Sequence, residues 1–347
     1  MGVSILDIAA LAGVSKSTVS AVINNHPSVR PETRERVMKA IVELDYHPNL
    51  AARELITASP MNIGIILPTY GASSPEKGDR YFKSINESSN LELVSLLTEK
   101  ISKTKYGILV EHAVISESEP SLPSFVSSRR VSGVFQISPL LCESYIKKLG
   151  MYVPSVVEIG TASEEVDSVY TDFEEIGRLS VDYLVGRGHR KIAFINCDPS
   201  SRTVKNRLDG YISGLKKNKI EYNEQYVQNS PFSGEGGYEA FSKIWNGCSE
   251  KPTALICATS TIGAGAMRFM NEKGIKVPDD ISVVCNSDGV LAEFSYPRLT
   301  SVSRDKAEVA EKAFDLMMER LKDNSLPPRT VKTEIHIIER ESVRNIF

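Results

Sequence analysis

Apolar positions recur with the helical period from residue 4 to about residue 45, in three short pieces. Ser4 followed by Asp7 makes a capping box with Asp where Glu is usual, and Ile5, Ile8, Ala9 and Ala12 then share one face. Gly13 can take the left-handed backbone that closes a helix, which lets Val14 turn inward. Ser15 is a good N-cap for a second helix with Val19, Val22 and Ile23 inside. Pro31 suits the first position of a third helix, Glu32 complements its N-terminal dipole, and Val37, Ile41 and Leu44 form its apolar stripe. This pattern predicts a small all-α unit over residues 1–47.

Residues 48–58 are compatible with a short helix, closed by Pro60. At about ten residues it is too short to hold by itself. Beyond residue 61 the rhythm changes to short apolar runs alternating with helical stretches. Strands are predicted over 63–67, 107–110, 131–137, 155–159, 191–196, 253–258 and 281–285. Helices are predicted between them, over 91–103, 176–186, 202–218, 236–245, 261–273 and 306–322. Continuous apolar strands separated by helices require parallel sheets covered on both faces, and seven of them over this length predict two doubly wound α/β lobes.

Bulk properties narrow the function. With 347 residues the chain is too long for one core, and 41% hydrophobic with 24% charged residues is an ordinary globular balance. No apolar run is long enough to cross a bilayer and the N-terminus lacks a signal-peptide layout, so no membrane partner and a cytoplasmic location are expected. The five cysteines are odd in number and never spaced as CxxC, which predicts neither a disulfide framework nor a zinc site. Gly263 and Gly265 do not complete a dinucleotide fingerprint, and a P-loop, an HExxH and a nucleophile elbow are all lacking. Neither a cofactor nor enzyme chemistry is therefore expected. His189 reads as structural and Trp245 as core.

Net charge is −3, and residues 1–58 carry six basic and six acidic side chains. That balance counts against a strong non-specific grip on nucleic acid, although pairing two copies would partly offset it. Ala9, Gly13 and Val19 nevertheless supply the small contact residue, the turn and the locking residue of a helix-turn-helix. The outer face of the second helix, Lys16, Ser17, Thr18, Ser20 and Ala21, is small and polar, as insertion into a major groove requires.

The stretch from Ile5 to Ile56, beginning ILDIAALAGVSKSTVSAVINNHPSVRPETRERV, closely resembles the N-terminal signature of the lactose-repressor (LacI/GalR) family. The resemblance continues through YLVGRGHRKIAFI, RLDGYISGLKKNKI, GYEAF and VPDDISVV, nearly the whole chain. It implies a helix-turn-helix DNA-binding domain at 1–47 and a hinge helix and linker at 48–60. The N-terminal lobe of a periplasmic-binding-protein-like core would comprise 61–171 plus 303–329, and its C-terminal lobe 172–302 plus 330–347.

By the same resemblance Lys16, Ser17 and Ala21 would face base edges, and Ser4, Ser15, Thr18, Asn24 and Thr33 would touch phosphates. Arg30 stands where the family often has a capping hydroxyl, and reads either as a phosphate contact or as a solvated charge. Leu55, with Ala52 on its face, matches the hinge leucine that would wedge into the minor groove beside its counterpart in a second copy. The implied partners are pseudo-palindromic operator DNA, a second copy of the chain, and a small-molecule effector held between the lobes.

For that effector the matching positions are Tyr70, Asp172, Arg207, Phe232, Thr259 and Ser287. Arg207 would clamp an oxyanion or hydroxyl pair, or else pair on the surface with Asp209; Phe232 would stack on the ligand or fill a core. Thr259-Ser260 and Ser287 replace carboxylates of sugar-responsive members, so an anionic or less hydroxylated effector is expected rather than a simple neutral hexose. The long 68–90 loop reads equally as a lid or as a surface excursion. The competing reading is a metabolite sensor or solute-binding protein without DNA function, and a doubly wound enzyme is the third.

Overall fold

The computed structural model describes residues 3–23, 26–46, 60–70, 88–115, 122–137, 143–197 and 202–347. The chain divides into two compact units, Met1–Ser59 and Pro60–Phe347.

The first unit holds α1 (Ile5–Ala12), α2 (Lys16–Ile23) and α3 (Pro31–Glu43). Ser4 donates its backbone N–H (2.8 Å) and hydroxyl (2.6 Å) to Asp7, which closes the start of α1 and holds the Asp7 carboxyl below its ordinary value. Gly13 sits at φ 63°, ψ 41°, so α1 ends in the left-handed turn that only glycine enters without cost. Ser15 Oγ accepts from the Thr18 N–H at 3.1 Å and caps α2. Ile8, Ala9, Ala12, Val19, Val22, Val37 and Ala40 are buried together, with Val14, Ile23, Ile41 and Leu44 packed against them.

The second unit contains two six-stranded sheets. One, in the order β11-β5-β4-β3-β1-β2, comprises β1 (Asn62–Tyr70), β2 (Gly107–Ile115), β3 (Gly133–Ile137), β4 (Ser155–Gly160), β5 (Asp167–Tyr170) and β11 (Thr330–Lys332), all parallel. The other, β12-β10-β9-β8-β6-β7, comprises β6 (Ile192–Cys197), β7 (Val227–Ser230), β8 (Ala254–Cys257), β9 (Ser282–Cys285), β10 (Thr300–Arg304) and β12 (Ile335–Ile338), parallel except for β12. Alternate residues of the first sheet feed two separate cores. Ile63, Ile65, Phe135 and Val157 pack with α4 (Ser88–Ser102) and α12 (Lys306–Arg320), whereas Ile66, Val134 and Val156 pack with α5 (Ser124–Ser127) and α6 (Glu143–Tyr152). Sheets filled on both faces are what continuous apolar strands demand.

In the second lobe α7 (Phe173–Val185) and α8 (Arg202–Lys217) cross at backbone contact: a Cβ added at Gly210 would lie 2.0 Å from the Glu174 carbonyl oxygen. The remaining helices are α9 (Gly234–Gly247), α10 (Ser260–Glu272) and α11 (Val290–Phe294).

The division of the lobes differs from the expected one at two places. β10 runs to Arg304 in the second sheet, with Ser303 opposite His336 and Arg304 opposite Ile335, so the chain returns to the first lobe after 304 rather than at 303. Thr330, Val331 and Lys332 pair with β5 of the first sheet, so residues 330–332 belong to the first lobe and the last crossing falls after 332. These strands are short and polar, and only pairing with distant partners defines them. Likewise β1 extends to Tyr70 and α4 begins at Ser88, which narrows the loop between them; residues 71–87 lie outside those described.

Candidate functional site

Two regions carry candidate chemistry, one in each unit. In the first unit the axes of α1 and α2 meet at a bend of 103°, inside the range of a helix-turn-helix. Val19 and Val22 are buried, which turns the opposite face of α2 outward. Lys16 and Ser17 are exposed at its start and Ala21 is half-buried a turn later. Ser15 Oγ lies 2.7 Å from Ser17 Oγ and 2.8 Å from Thr18 Oγ1, giving a compact set of hydroxyls at the helix N-terminus, where the backbone dipole favours anions. Ser4 is exposed beside Asp7, Thr33 is half-buried in the first turn of α3, and Arg30 is exposed at the N-cap position of α3 without a side-chain cap bond. Asn24, Ala52 and Leu55 lie outside the described residues.

In the second unit the carboxyl ends of the two sheets and the three lobe crossings concentrate the polar groups. Arg304 Nη1 donates to Thr171 Oγ1 at 2.9 Å, and Thr171 Oγ1 lies 3.0 Å from Thr333 Oγ1, so one residue from each crossing joins a single knot. Asp172 caps α7 through the Glu175 N–H at 3.0 Å and pairs with Lys332 at 3.1 Å. Burial pushes the Asp172 carboxyl up, but the Glu175 N–H and Lys332 outweigh it and hold the carboxyl below its ordinary value. An open cavity of about 390 Å³ lies beside the knot, lined by Glu175, Lys332, Thr333, Glu334 and Ile335. Among the described side chains, Asp172, Arg207, Phe232, Thr259 and Ser287 do not line it.

Arg207 is 7% exposed and its guanidinium carbon sits 4.4 Å from the centre of the Phe173 ring, which excludes a surface ion pair with Asp209 as its main role. Phe232 is partly buried and packs against both the second-lobe core and the α6-side core of the first lobe, so its ring bridges the lobes. Thr259 and Ser287 are placed near the cleft but committed internally. Thr259 Oγ1 caps α10 by accepting from the Ile262 N–H at 3.2 Å, and Ser287 Oγ accepts from the Ser260 N–H at 2.9 Å. Tyr70 is the last residue of β1, opposite Ile115.

Sequence reasoning missed Glu158, the one carboxylate within β4. It is almost fully buried beside Gln136, to which it is aligned in register, and it accepts from Thr161 Oγ1 at 3.1 Å. Burial pushes its carboxyl up to about 7, against the opposing effects of Thr161, of the Arg202 charge and of Ser163. A lone acid in an apolar strand was the available signal. Also missed were Phe173 and Arg304, and a contact between lobes in which Lys306 binds Glu92 and the Asp288 carbonyl (2.6 Å) while Arg340 forks onto Asp288 at 2.7 and 3.1 Å. His189, by contrast, is structural as expected: its ring nitrogens lie 3.1 Å from Thr253 Oγ1 and 3.2 Å from the Arg344 carbonyl.

Comparison with known proteins agrees with both units. Residues 4–49 match the family described as bacterial regulatory proteins, lacI family, and residues 181–343 match the periplasmic binding protein-like domain. The chain is 31% identical over 350 residues to the HTH-type transcriptional repressor PurR of Vibrio atlanticus (strain LGP32), with 99% of each chain covered. It is 30% identical to the PurR repressor of Vibrio campbellii (strain ATCC BAA-1116), again with 99% of each covered. Among solved structures, the transcriptional regulator CelR–cellobiose complex superposes with a TM-score of 0.69 at 26% identity, covering 98% of this chain and 99% of that one. The lac repressor dimer bound to operator and the anti-inducer ONPF shares the fold with a TM-score of 0.77 at 23% identity, covering 99% and 100%. With its bent helix pair, two parallel-sheet lobes and full-length similarity to these repressors, the chain belongs to the LacI family of bacterial regulatory proteins.

Proposed function

We propose that this protein is a sequence-specific transcriptional repressor whose affinity for operator DNA is set by a small molecule bound between its two lobes. The observation that carries this reading is the 103° bend between α1 and α2, with Lys16 and Ser17 exposed at the start of the second helix. Lys16 and Ser17 reach base edges, Ala21 offers a methyl contact, and Ser4, Ser15, Thr18, Asn24, Arg30 and Thr33 position the head on phosphates. Leu55 with Ala52 wedges the minor groove, which requires two copies of the chain.

A second copy would seat on the second lobe. Leu291, Val290, Phe294 and Tyr296 are 39%, 54%, 78% and 95% exposed on and beside α11, an apolar patch that a lone chain would leave in water. The lac repressor that shares this fold is a dimer on its operator. Binding DNA places the working protein in the cytoplasm.

Effector binding between Arg207 and Phe232 changes how the lobes close, and the hinges transmit that change to the heads at a coupling energy of roughly 1–3 kcal/mol. The replacement of carboxylates at Thr259-Ser260 and at Ser287 favours an effector other than a neutral hexose; tight binding of a neutral monosaccharide in calorimetry would overturn that part. The test of the whole reading is selection of duplexes from a random pool by the full-length protein. An inverted repeat with a central pyrimidine–purine step is the expected product. Recovery of no sequence preference at low salt would leave only a ligand-binding body.

A further inference from the structure

We propose that Cys257 and Cys285 are a redox modification site, a dithiol in the second lobe that a small neutral peroxide converts to a cross-strand disulfide. This goes beyond the repressor reading and does not depend on what binds in the cleft.

The sheet builds the pair. Cys257 ends β8, Cys285 ends β9, and the two are direct partners in the parallel register. Neighbouring strands stand about 4.8 Å apart, inside the range of about 4.4–6.8 Å between Cα atoms that a disulfide requires. Both side chains leave the sheet on the α10 face, because a Cβ added at Gly263 would lie 2.6 Å from Cys285 Sγ and 3.8 Å from Cys257 Cβ. The missing side chain at Gly263 gives the sulfurs room, and the two thiols are in hydrogen-bonding contact. The other cysteines are placed differently. Cys197 ends β6 two residues out of register with Cys257, Cys248 follows α9 with its thiol on the Gln225 carbonyl at 3.4 Å, and Cys142 lies outside the described residues.

The step balances with the peroxide alone. One sulfur attacks the O–O bond, giving a sulfenic acid and a first water; the other sulfur then displaces the sulfenic hydroxyl, which leaves with the thiol proton as a second water. The two sulfurs lose two electrons and the peroxide gains them. A resolving thiol already in contact traps the sulfenic acid before it oxidises further. Both side chains are fully buried, and burial, ahead of the neighbouring Cys285 and Cys197, pushes the Cys257 thiol up. Local opening of the strand ends therefore sets the rate at which a small oxidant arrives. A bond drawn straight across two strands also has its Cβ atoms further apart than the preferred ~3.8 Å, so a dithiol reductant reverses it.

Both strands end at the cleft. Thr259-Ser260 comes one residue after Cys257 and Ser287 one residue after Cys285, and the Ser260 N–H donates to Ser287 Oγ at 2.9 Å. Joining the sulfurs stiffens this wall just beneath that hydrogen bond.

The test treats the full-length protein with hydrogen peroxide at pH 8, blocks remaining thiols with N-ethylmaleimide in denaturant, and maps the digest by mass spectrometry. The expected product is a link between Cys257 and Cys285 that dithiothreitol removes, formed while near-ultraviolet circular dichroism stays native. Cys257→Ser and Cys285→Ser should each leave the surviving cysteine without its resolving partner and raise its dimedone adduct at least tenfold over wild type, whereas Cys248→Ser should match wild type. Exchange of the Ser260 amide should slow at least tenfold on oxidation, and unchanged exchange would overturn the stiffening of the cleft wall. No link in folded protein, a link through Cys142, Cys197 or Cys248 in its place, or formation only after unfolding would each overturn the proposal.

Discussion

The helical head and the two-lobed body are held together on different scales of sequence. The head closes its helices with near neighbours, Ser4 with Asp7 and Ser15 with Thr18, around seven small or medium apolar residues. The body is tied together by partners 133 to 162 positions apart, Arg304 with Thr171 and Thr171 with Thr333 at the lobe crossings and Arg320 with Asp167 inside the first lobe. A head of local contacts can form in many settings and be adjusted at its surface at little cost. A body of distant contacts forms all together, and a change at one crossing reaches the others. This is the division that a regulator needs: reading in the marginal part, control in the cooperative part.

The sharpest way to break the comparison is to cut a long-range tie. Arg320 forks onto Asp167 at 2.8 and 2.9 Å, both side chains being nearly inaccessible. Arg320→Met should destabilise the body by about 3–5 kcal/mol because it strands a buried carboxylate. Urea unfolding of the full-length protein measures this, and a loss below about 1 kcal/mol would mean that the tie carries little. Next comes Gly210→Ala, whose Cβ meets the Glu174 carbonyl at 2.0 Å. Separating α7 from α8 should cost about 3 kcal/mol and displace Arg207, leaving hydrogen exchange in the head unchanged.

Glu158 supplies a pH test of the body alone. Its carboxyl is pushed up to about 7 by burial, so the folded state holds the proton more tightly than the unfolded chain does. The contribution is therefore full below the ordinary carboxylate range and is lost as pH rises to about 7, a fall of roughly 3 kcal/mol at most. Glu158→Gln should flatten the wild-type decline between pH 5 and pH 8, and an unchanged slope would remove Glu158 as its source. The smallest effects belong to the head. Gly13→Ala forces an L-residue into φ 63° and should cost roughly 1–2 kcal/mol, seen as faster exchange of head amides with no change in the body.

The same difference explains what could be read from sequence. Ser4, Gly13, Ser15 and Pro31 announce the head because each acts within a few residues of itself. The apolar strands β3, β4, β8 and β9 are equally plain. β10, with the sequence TSVSR, and β11, with TVK, have no apolar pattern, since their place is set by partners far along the chain, and the lobe boundaries were displaced for that reason. That the Thr259 and Ser287 hydroxyls each accept a backbone N–H was not legible in the sequence, and each keeps its O–H to donate. Arg304 gave no signal, as only the crossing brings it to the ring of Phe173.

Base reading by α2 is tested most directly by the affinity of wild type and Lys16→Ala for the selected duplex and for a scrambled one at fixed salt. Removal of a base contact should reduce discrimination between the two duplexes by about 1–3 kcal/mol, with scrambled-duplex affinity little changed. An equal loss on both duplexes would reduce Lys16 to a phosphate contact, and no loss on either would contradict the placement of α2 in the groove.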